Sequence, residues 1–246
     1  MNDTTTLGDL AKEHPEKKFP GFWASVGWAI AFFLLQGIAG AIAITAVADG
    51  RPLQSVITDY KLIALPSMLA TIASGILYVA LLHLYLRKGD RYARIGLTNW
   101  SQLSLARTLG LAVALIGAGL AINYLYTEYV IPGVKMQDQL RLLLAGLPDN
   151  ALGKTTLFIT VVVMAPITEE LAFRGILQNG LKNWMPIWLA IPLSAMAFAA
   201  AHSDYYAFPV LTFMGMMFGI LYHMTGSLRA NIALHALNNA AALALG

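Results

Sequence analysis

Three ionisable side chains lie together in the stretch Thr168–Gly175, directly behind the apolar run Leu157–Pro166. On a helix, Glu170 and Arg174 stand at positions i and i+4 and can pair on one face. Glu169 points about 100° away from that pair, because an α-helix has 3.6 residues per turn. One carboxylate is then neutralised locally, and the other is left without a counterion as a candidate general base. The alternative interpretation is an interfacial cluster of charges that ends a transmembrane helix.

Two further polar pairs follow at the same helical spacing, Phe198 with His202 and His235 with Asn239. Together with Glu169 they offer a carboxylate, two imidazoles and an amide. Such a set can activate water and stabilise an oxyanion. It can equally bind a divalent metal, since imidazole and carboxylate are zinc ligands.

The depth of these side chains can be counted from the predicted turns between helices at about 1.5 Å per residue. Glu169 and His202 both lie roughly 25 Å from the turn between their helices and so face each other at similar depth. His235 lies roughly 14 Å from its own turn and Asn239 roughly 20 Å, so the third pair matches less well. Helix tilt or a kink at Pro166 can close such a gap.

The elements that must position these residues are apolar segments. The chain is 58% hydrophobic and 12% charged, against about 25% charged residues in soluble domains, and it has no cysteine. We therefore predict an all-α, polytopic transmembrane helix bundle. Segments of about 20 apolar residues cross the hydrocarbon. The seven predicted spans are Phe22–Val47, Leu62–Leu86, Leu103–Tyr126, Thr155–Asn183, Pro186–His202, Phe208–Met224 and Ala230–Leu245.

The distribution of basic residues predicts a cytoplasmic N-terminus. Lysines precede the first span and the segment Arg87–Arg94 is the most basic loop, so both are placed inside. Residues 1–19 are predicted to be a polar cytoplasmic tail, and residues 20–246 a single membrane domain. The segment Met136–Ala145 is either a short interfacial helix or a plain polar loop. Gly215 and Gly219 are spaced to allow close approach of a neighbouring helix.

Taken in order, Glu169-Glu170-x-x-x-Arg174, Phe198-x-x-x-His202 and His235-x-x-x-Asn239 resemble the three motifs of the CPBP or Abi family. That family contains the type II CAAX prenyl endopeptidases and bacterial proteins linked to bacteriocin processing and self-immunity. The resemblance covers about residues 155–246, which would be the catalytic core. It implies a multi-pass protein of the bacterial cytoplasmic membrane.

By this resemblance, Glu169 and His202 would activate the attacking water, and His235 and Asn239 would stabilise the oxyanion. Glu170 and Arg174 would form a structural pair. The family is described as metalloproteases, and a glutamate-dependent route without tightly held metal is also proposed for it. A zinc ion, if bound, would be held by Glu169, His202 and His235.

The sequence thus favours an intramembrane endopeptidase that cleaves a peptide bond in a membrane-associated protein or peptide. The expected partners are that substrate and the lipid bilayer, and no nucleic acid is expected. The rival hypothesis is a non-catalytic membrane scaffold, such as an immunity or sensor-accessory protein, built on the same fold. A transporter is less well supported, because such sites are typically built at repeat interfaces and the chain shows no internal repeat.

Overall fold

A computed structural model describes residues 19–134 and 138–245, and all regular secondary structure within those ranges is helical. The predicted all-α bundle is therefore confirmed. The helices are α1 (Phe22–Ala48), α2 (Leu53–Ile57), α3 (Tyr60–Leu86), α4 (Arg91–Arg94), α5 (Leu105–Leu125, extended by a π-helical segment Tyr126–Val130), α6 (Asp138–Ala145), α7 (Ala151–Lys182), α8 (Ile187–Ala200), α9 (Phe208–Thr225) and α10 (Leu228–Leu245).

Five of the helices in the described ranges are long and apolar enough to cross a membrane, namely α1, α3, α5 with its extension, α7 and α9. The two other predicted spans are α8, which has 14 residues, and α10, which carries an arginine, a histidine and three asparagines. The count of seven spans and the cytoplasmic N-terminus stay predictions. The tail up to residue 18 and the start of the predicted interfacial helix, residues 136–137, lie outside the described residues.

Side-chain caps fix where several helices begin, and so fix the depth of the residues that follow. Asn150 accepts a hydrogen bond from Gly153 N (3.1 Å) at the start of α7, and Ser227 Oγ accepts one from Ala230 N (3.1 Å) at the start of α10. Gly226, at φ 62°, ends α9 in the left-handed conformation that favours glycine. α10 therefore begins immediately beside the end of α9.

The loop between α4 and α5 holds this α9–α10 turn in place. Gln102 N donates to Thr225 O (2.8 Å), and Leu228 N donates to Gly96 O (2.9 Å). Gly96 also has a positive φ of 70°, and a Cβ at this position would clash with the carbonyl oxygen of Gly226. The first turn of α10 is thus anchored to a loop that precedes it by more than a hundred residues.

The core of the bundle is built around α7. The Phe173 ring packs edge-on against Phe32 of α1 (5.3 Å between centroids) and Phe198 of α8 (5.6 Å). Phe173 and Tyr78 are fully buried, whereas large apolar side chains such as Val113 of α5 face outwards, 71% exposed. Outward apolar faces and a buried central helix are the arrangement expected in a bilayer, where lipid covers the outside.

The central helix α7 is not a uniform α-helix. Ile159–Met164 and Glu170–Gln178 are π-helical, with α-helical turns before, between and after them. The first π-helical segment ends just before Pro166, where the missing N–H interrupts the α-helical hydrogen bonds. π-helical turns close i→i+5 hydrogen bonds and occur often at functional sites. All nine residues of the second segment are buried.

Candidate active site

Glu170 and Arg174 form a buried ion pair at the centre of α7. Arg174 Nη1 lies 3.0 Å from Glu170 Oε1, and the side chains are 1% and 0% exposed. The i, i+4 contact predicted from sequence is thus present. Arg174 Nη2 also donates to Gly215 O (3.0 Å), and the guanidinium carbon lies 4.6 Å from the centroid of the Phe198 ring. A buried charge needs such partners, because an unpaired one is costly.

A second contact repeats this arrangement one helical turn along. Gln178 Nε2 donates to Gly219 O (3.1 Å), just as Arg174 donates to Gly215 O. A Cβ on Gly219 would lie 2.8 Å from Gln178 Oε1, and one on Gly215 would lie 3.0 Å from Ala195 Cβ. The close approach predicted for this glycine pair is confirmed, and it lets α9 present its carbonyl groups to α7.

The other side of Glu170 is bound by α10. Asn231 Nδ2 donates to Glu170 Oε2, and His235 Nδ1 lies 2.9 Å from Glu170 Oε1. An ionised carboxylate only accepts hydrogen bonds, so Nδ1 of His235 carries a hydrogen. Glu170 therefore orients the imidazole ring as well as pairing with Arg174.

The orientation of His235 brings its other ring nitrogen to Glu169. Nε2 lies 3.8 Å from Glu169 Oε2, which is too long for a direct hydrogen bond. The Glu169 side chain is 15% exposed, against 0% for Glu170. Sequence analysis left Glu169 without a counterion, and in the structure the imidazole of His235, which carries a charge only when protonated, is its neighbour at 3.8 Å.

The depth count is wrong for His235, which it placed nearer the membrane surface than Glu169, whereas its placement of His202 level with Glu169 stays a prediction. In the structure the imidazole beside Glu169 is that of His235. The count assumed a uniform α-helical rise, whereas much of α7 on both sides of Glu169 is π-helical. A wider turn changes both the rise and the direction of each side chain.

His202 lies at the end of α8 and is half-buried. Its Nδ1 is 3.1 Å from Phe198 O, and its ring centroid is 4.9 Å from that of Phe198. The same Phe198 ring lies 6.2 Å from the ring of His235. The two histidines therefore flank one phenylalanine, although His202 makes no ion pair with Glu169 within the described ranges.

Asn239 lies one turn beyond His235 on α10. Its Nδ2 donates to Val161 O (3.0 Å) in the first π-helical segment of α7. An amide NH₂ has two hydrogens, so one donor is left after this contact. One face of α10 thus lies along α7. It carries Asn231, His235 and Asn239, each of which contacts a polar group of α7.

The predicted zinc ligands Glu169, His202 and His235 are not gathered around one point in this arrangement, and zinc binding stays a prediction. Nδ1 of His235 is bonded to Glu170 and Nδ1 of His202 to Phe198 O, so only the Nε2 atoms remain as ligands. Within residues 19–134 and 138–245, no three His, Asp or Glu side chains come together closely enough to hold one ion. We therefore derive no step through a metal.

Comparison with known proteins relates this site to a family. Residues 151–241 match the family described as Rce1-like, type II CAAX prenyl endopeptidase Rce1-like. The chain is similar to this family over that range. The resemblance drawn from the three motifs is thereby confirmed, and all six predicted site residues lie inside the matched range. The chain is accordingly an integral, multi-pass membrane protein.

Two curated relatives align with part of the chain. The membrane-embedded CAAX protease MroQ of Staphylococcus aureus is 34% identical over 93 residues, which are 35% of this chain and 38% of that protein. An uncharacterized 24.3 kDa protein of Escherichia coli is 31% identical over 96 residues, 37% of this chain and 42% of that protein. The chain thus spans about two fifths of the length of the relatives it matches. No solved structure matches the chain significantly.

The motif analysis missed two polar residues that complete the buried network. Asn231 stands four residues before His235, and Gln178 stands four residues after Arg174. Each therefore continues a helical face that already carried a predicted site residue. That spacing was a usable signal for their position, although not for the atoms they contact.

Proposed function

We propose that the protein is an intramembrane endopeptidase that hydrolyses a peptide bond in a membrane-associated protein or peptide. The observation that carries the proposal is the placement of His235 between two glutamates inside the range that is similar to the Rce1-like family. Its Nδ1 is fixed by fully buried Glu170, and its Nε2 faces partly exposed Glu169. The similarity to MroQ, a membrane-embedded CAAX protease, supports a proteolytic activity.

In this proposal Glu169 is the general base. Its carboxylate takes a proton from a water molecule held near His202, and the water oxygen bonds to the carbonyl carbon of the substrate. His235, protonated on both ring nitrogens, donates from Nε2 to the oxyanion that forms, and the unused amide hydrogen of Asn239 donates to it as well. The carbon–nitrogen bond then breaks, and the leaving nitrogen takes the proton back from Glu169.

Glu170, Arg174 and Asn231 are positioning residues in this mechanism. The hydrogen bonds from Arg174 and Asn231 hold the Glu170 carboxylate, and Glu170 in turn holds His235. A carboxylate that orients a catalytic imidazole sets which ring nitrogen faces the reaction. The two adjacent glutamates therefore have different roles because of different partners and burial.

The mechanism proposed here uses the glutamate-dependent route, since the donor set does not bring three ligands to one point. It assigns no prenyl group to the substrate. The CAAX specificity of MroQ belongs to that protein. The substrate class is a polypeptide segment that reaches a site in the interior of the bundle.

The proposal is tested with purified protein in lipid nanodiscs and a library of membrane peptides, with products identified by mass spectrometry. Wild-type protein is expected to give defined cleavage products, and His235→Gln to give none while keeping its folded yield. A matched control is His223→Gln, since His223 is exposed at the end of α9. Peptide binding without cleavage by wild-type protein would instead support the non-catalytic scaffold.

A further inference from the structure

A second polar site lies away from Glu169, at the end of the bundle where α1 begins and α3 ends. It is a cavity of about 500 Å³ lined by Phe19, Tyr85, Lys88, Asp90, Arg91 and Arg94, among others. Three cations and one carboxylate line it, which leaves a net charge of +2. Nothing in the proposed hydrolysis uses these residues.

Arg91 is held in this cavity by two aromatic rings and a backbone carbonyl group. Its guanidinium carbon lies 4.9 Å from the ring centroids of both Phe19 and Tyr85, and the two rings stack 5.6 Å apart. Its Nη1 donates to Tyr85 O (2.8 Å). Within the described part of the chain it has no carboxylate partner, so aromatic and backbone contacts hold the charge in place while leaving it un-neutralised.

Of the other charges, Lys88 adds to the positive field of Arg91, whereas Arg94 and Asp90 pair with each other. Arg94 is paired with Asp90 at 2.9 Å, and that hydrogen bond holds the pKa of Asp90 below its usual value, so the carboxylate stays ionised. Lys88 is exposed and makes no ion pair with any described residue. Arg91 and Lys88 are therefore two cations that converge on one cavity without a bound carboxylate.

The position of the cavity indicates the ligand. Phe19 lies just before α1, and Tyr85 lies in the last turn of α3, so the cavity sits where two helices long enough to span the membrane reach its surface. That plane is where lipid phosphates lie. Exposed apolar side chains continue from it along both helices, with Trp23 79% and Leu84 50% exposed. Tryptophan at this level is typical of the membrane interface.

We propose that this cavity binds the phosphate headgroup of an anionic lipid, with the acyl chains lying against α1 and α3. Basic pockets between helix ends recognise such headgroups, and arginine binds phosphate oxygens with two parallel donors. The loop that carries Arg91 and Arg94 continues to Gly96 and Gln102, which hold the start of α10. Lipid binding thus stabilises the loop against which the His235 helix is anchored. The proposal is independent of the proposed proteolysis.

The test measures lipid binding to detergent-purified full-length protein by native mass spectrometry and thermal shift. Phosphatidylglycerol, phosphatidylcholine and inorganic phosphate are compared. Phosphatidylglycerol is expected to bind more tightly than phosphatidylcholine and to raise the unfolding temperature. Lys88→Gln should weaken its binding about fivefold, from the interaction typical of one basic residue near a lipid surface. Added salt should weaken it as well.

Lys154→Gln is the matched control, because Lys154 is also an exposed lysine but lies at the start of α7, far from this loop in sequence. Arg91→Gln should weaken binding further, and Lys88→Gln keeps the test informative if Arg91→Gln fails to fold. Equal binding of the two lipids, or equal loss for Lys88→Gln and Lys154→Gln, would overturn the proposal. Inorganic phosphate that binds as tightly as phosphatidylglycerol would overturn the assignment to a lipid.

Discussion

Replacing Arg174 by methionine (Arg174→Met) removes the charge that neutralises Glu170 while roughly keeping side-chain length. The Arg174 and Glu170 side chains are at most 1% exposed, so water cannot replace the lost ion pair. Removing one partner of a buried pair typically costs about 3–5 kcal/mol of unfolding free energy. Gly215 O also loses its donor, which adds roughly 1–3 kcal/mol if no other group replaces it. We expect Arg174→Met to lose at least about 3 kcal/mol.

The assay is reversible denaturant or detergent unfolding of purified protein, with Lys154→Met as control. The Lys154–Asp149 pair is 73% and 89% exposed, so breaking it should give no measurable change. The double variant Glu170→Gln/Arg174→Met should recover part of the loss, because neither buried charge then remains unpaired. Two results would refute the buried-pair reasoning. One is a loss below about 1 kcal/mol for Arg174→Met, and the other is a double-variant loss equal to the sum of the losses of Glu170→Gln and Arg174→Met.

Three further predictions concern topology, metal and packing. Since the chain has no cysteine, single variants Lys88→Cys and Lys154→Cys can be labelled with an impermeant maleimide in whole cells. Only Lys154→Cys should react, and labelling of both would overturn the predicted orientation. Peptide cleavage should survive exhaustive chelation, and stoichiometric zinc whose removal abolishes activity would reverse the glutamate-dependent mechanism. Gly219→Ala places a Cβ 2.8 Å from Gln178 Oε1 and should destabilise the protein by roughly 1–3 kcal/mol. The control Gly110→Ala, whose new Cβ meets no atom within 4 Å, should not destabilise it. Equal effects of the two substitutions would contradict the close packing of α9.

The helices were the most predictable part of this protein. The first predicted span, Phe22–Val47, differs from α1 by one residue, and the span predicted over Phe208–Met224 likewise ends one residue before α9 does. Long apolar runs bounded by polar or turn residues leave few alternatives in a bilayer, because every backbone group must be bonded within its own helix. The glycine pair on α9 was predictable for a similar reason, since small residues at this spacing lie on one face.

The site was predictable in its residue types but not in its contacts. Glu170 and Arg174 are on one helix, and their pairing followed from spacing alone. The contact of His235 with both glutamates joins α10 to α7, and it depends on the π-helical turns and on the turn at Gly226. The turn at Gly226 was predicted from the sequence, but local sequence carries no comparable signal for the π-helical turns. Asn231 was missed for the same reason, because its partner lies 61 residues away.

The most direct test of the central claim is the cleavage rate and thermal stability of Glu169→Gln, measured on the same preparation beside wild-type protein. Glu169 is partly exposed, and the nearest ring nitrogen of His235 is 3.8 Å from its carboxylate, so the nearly isosteric change should leave unfolding almost unaltered. Loss of the general base should nevertheless lower the rate of peptide cleavage by at least about 10²-fold. A folded Glu169→Gln variant that cleaves like wild type would contradict the assignment of Glu169 as the base.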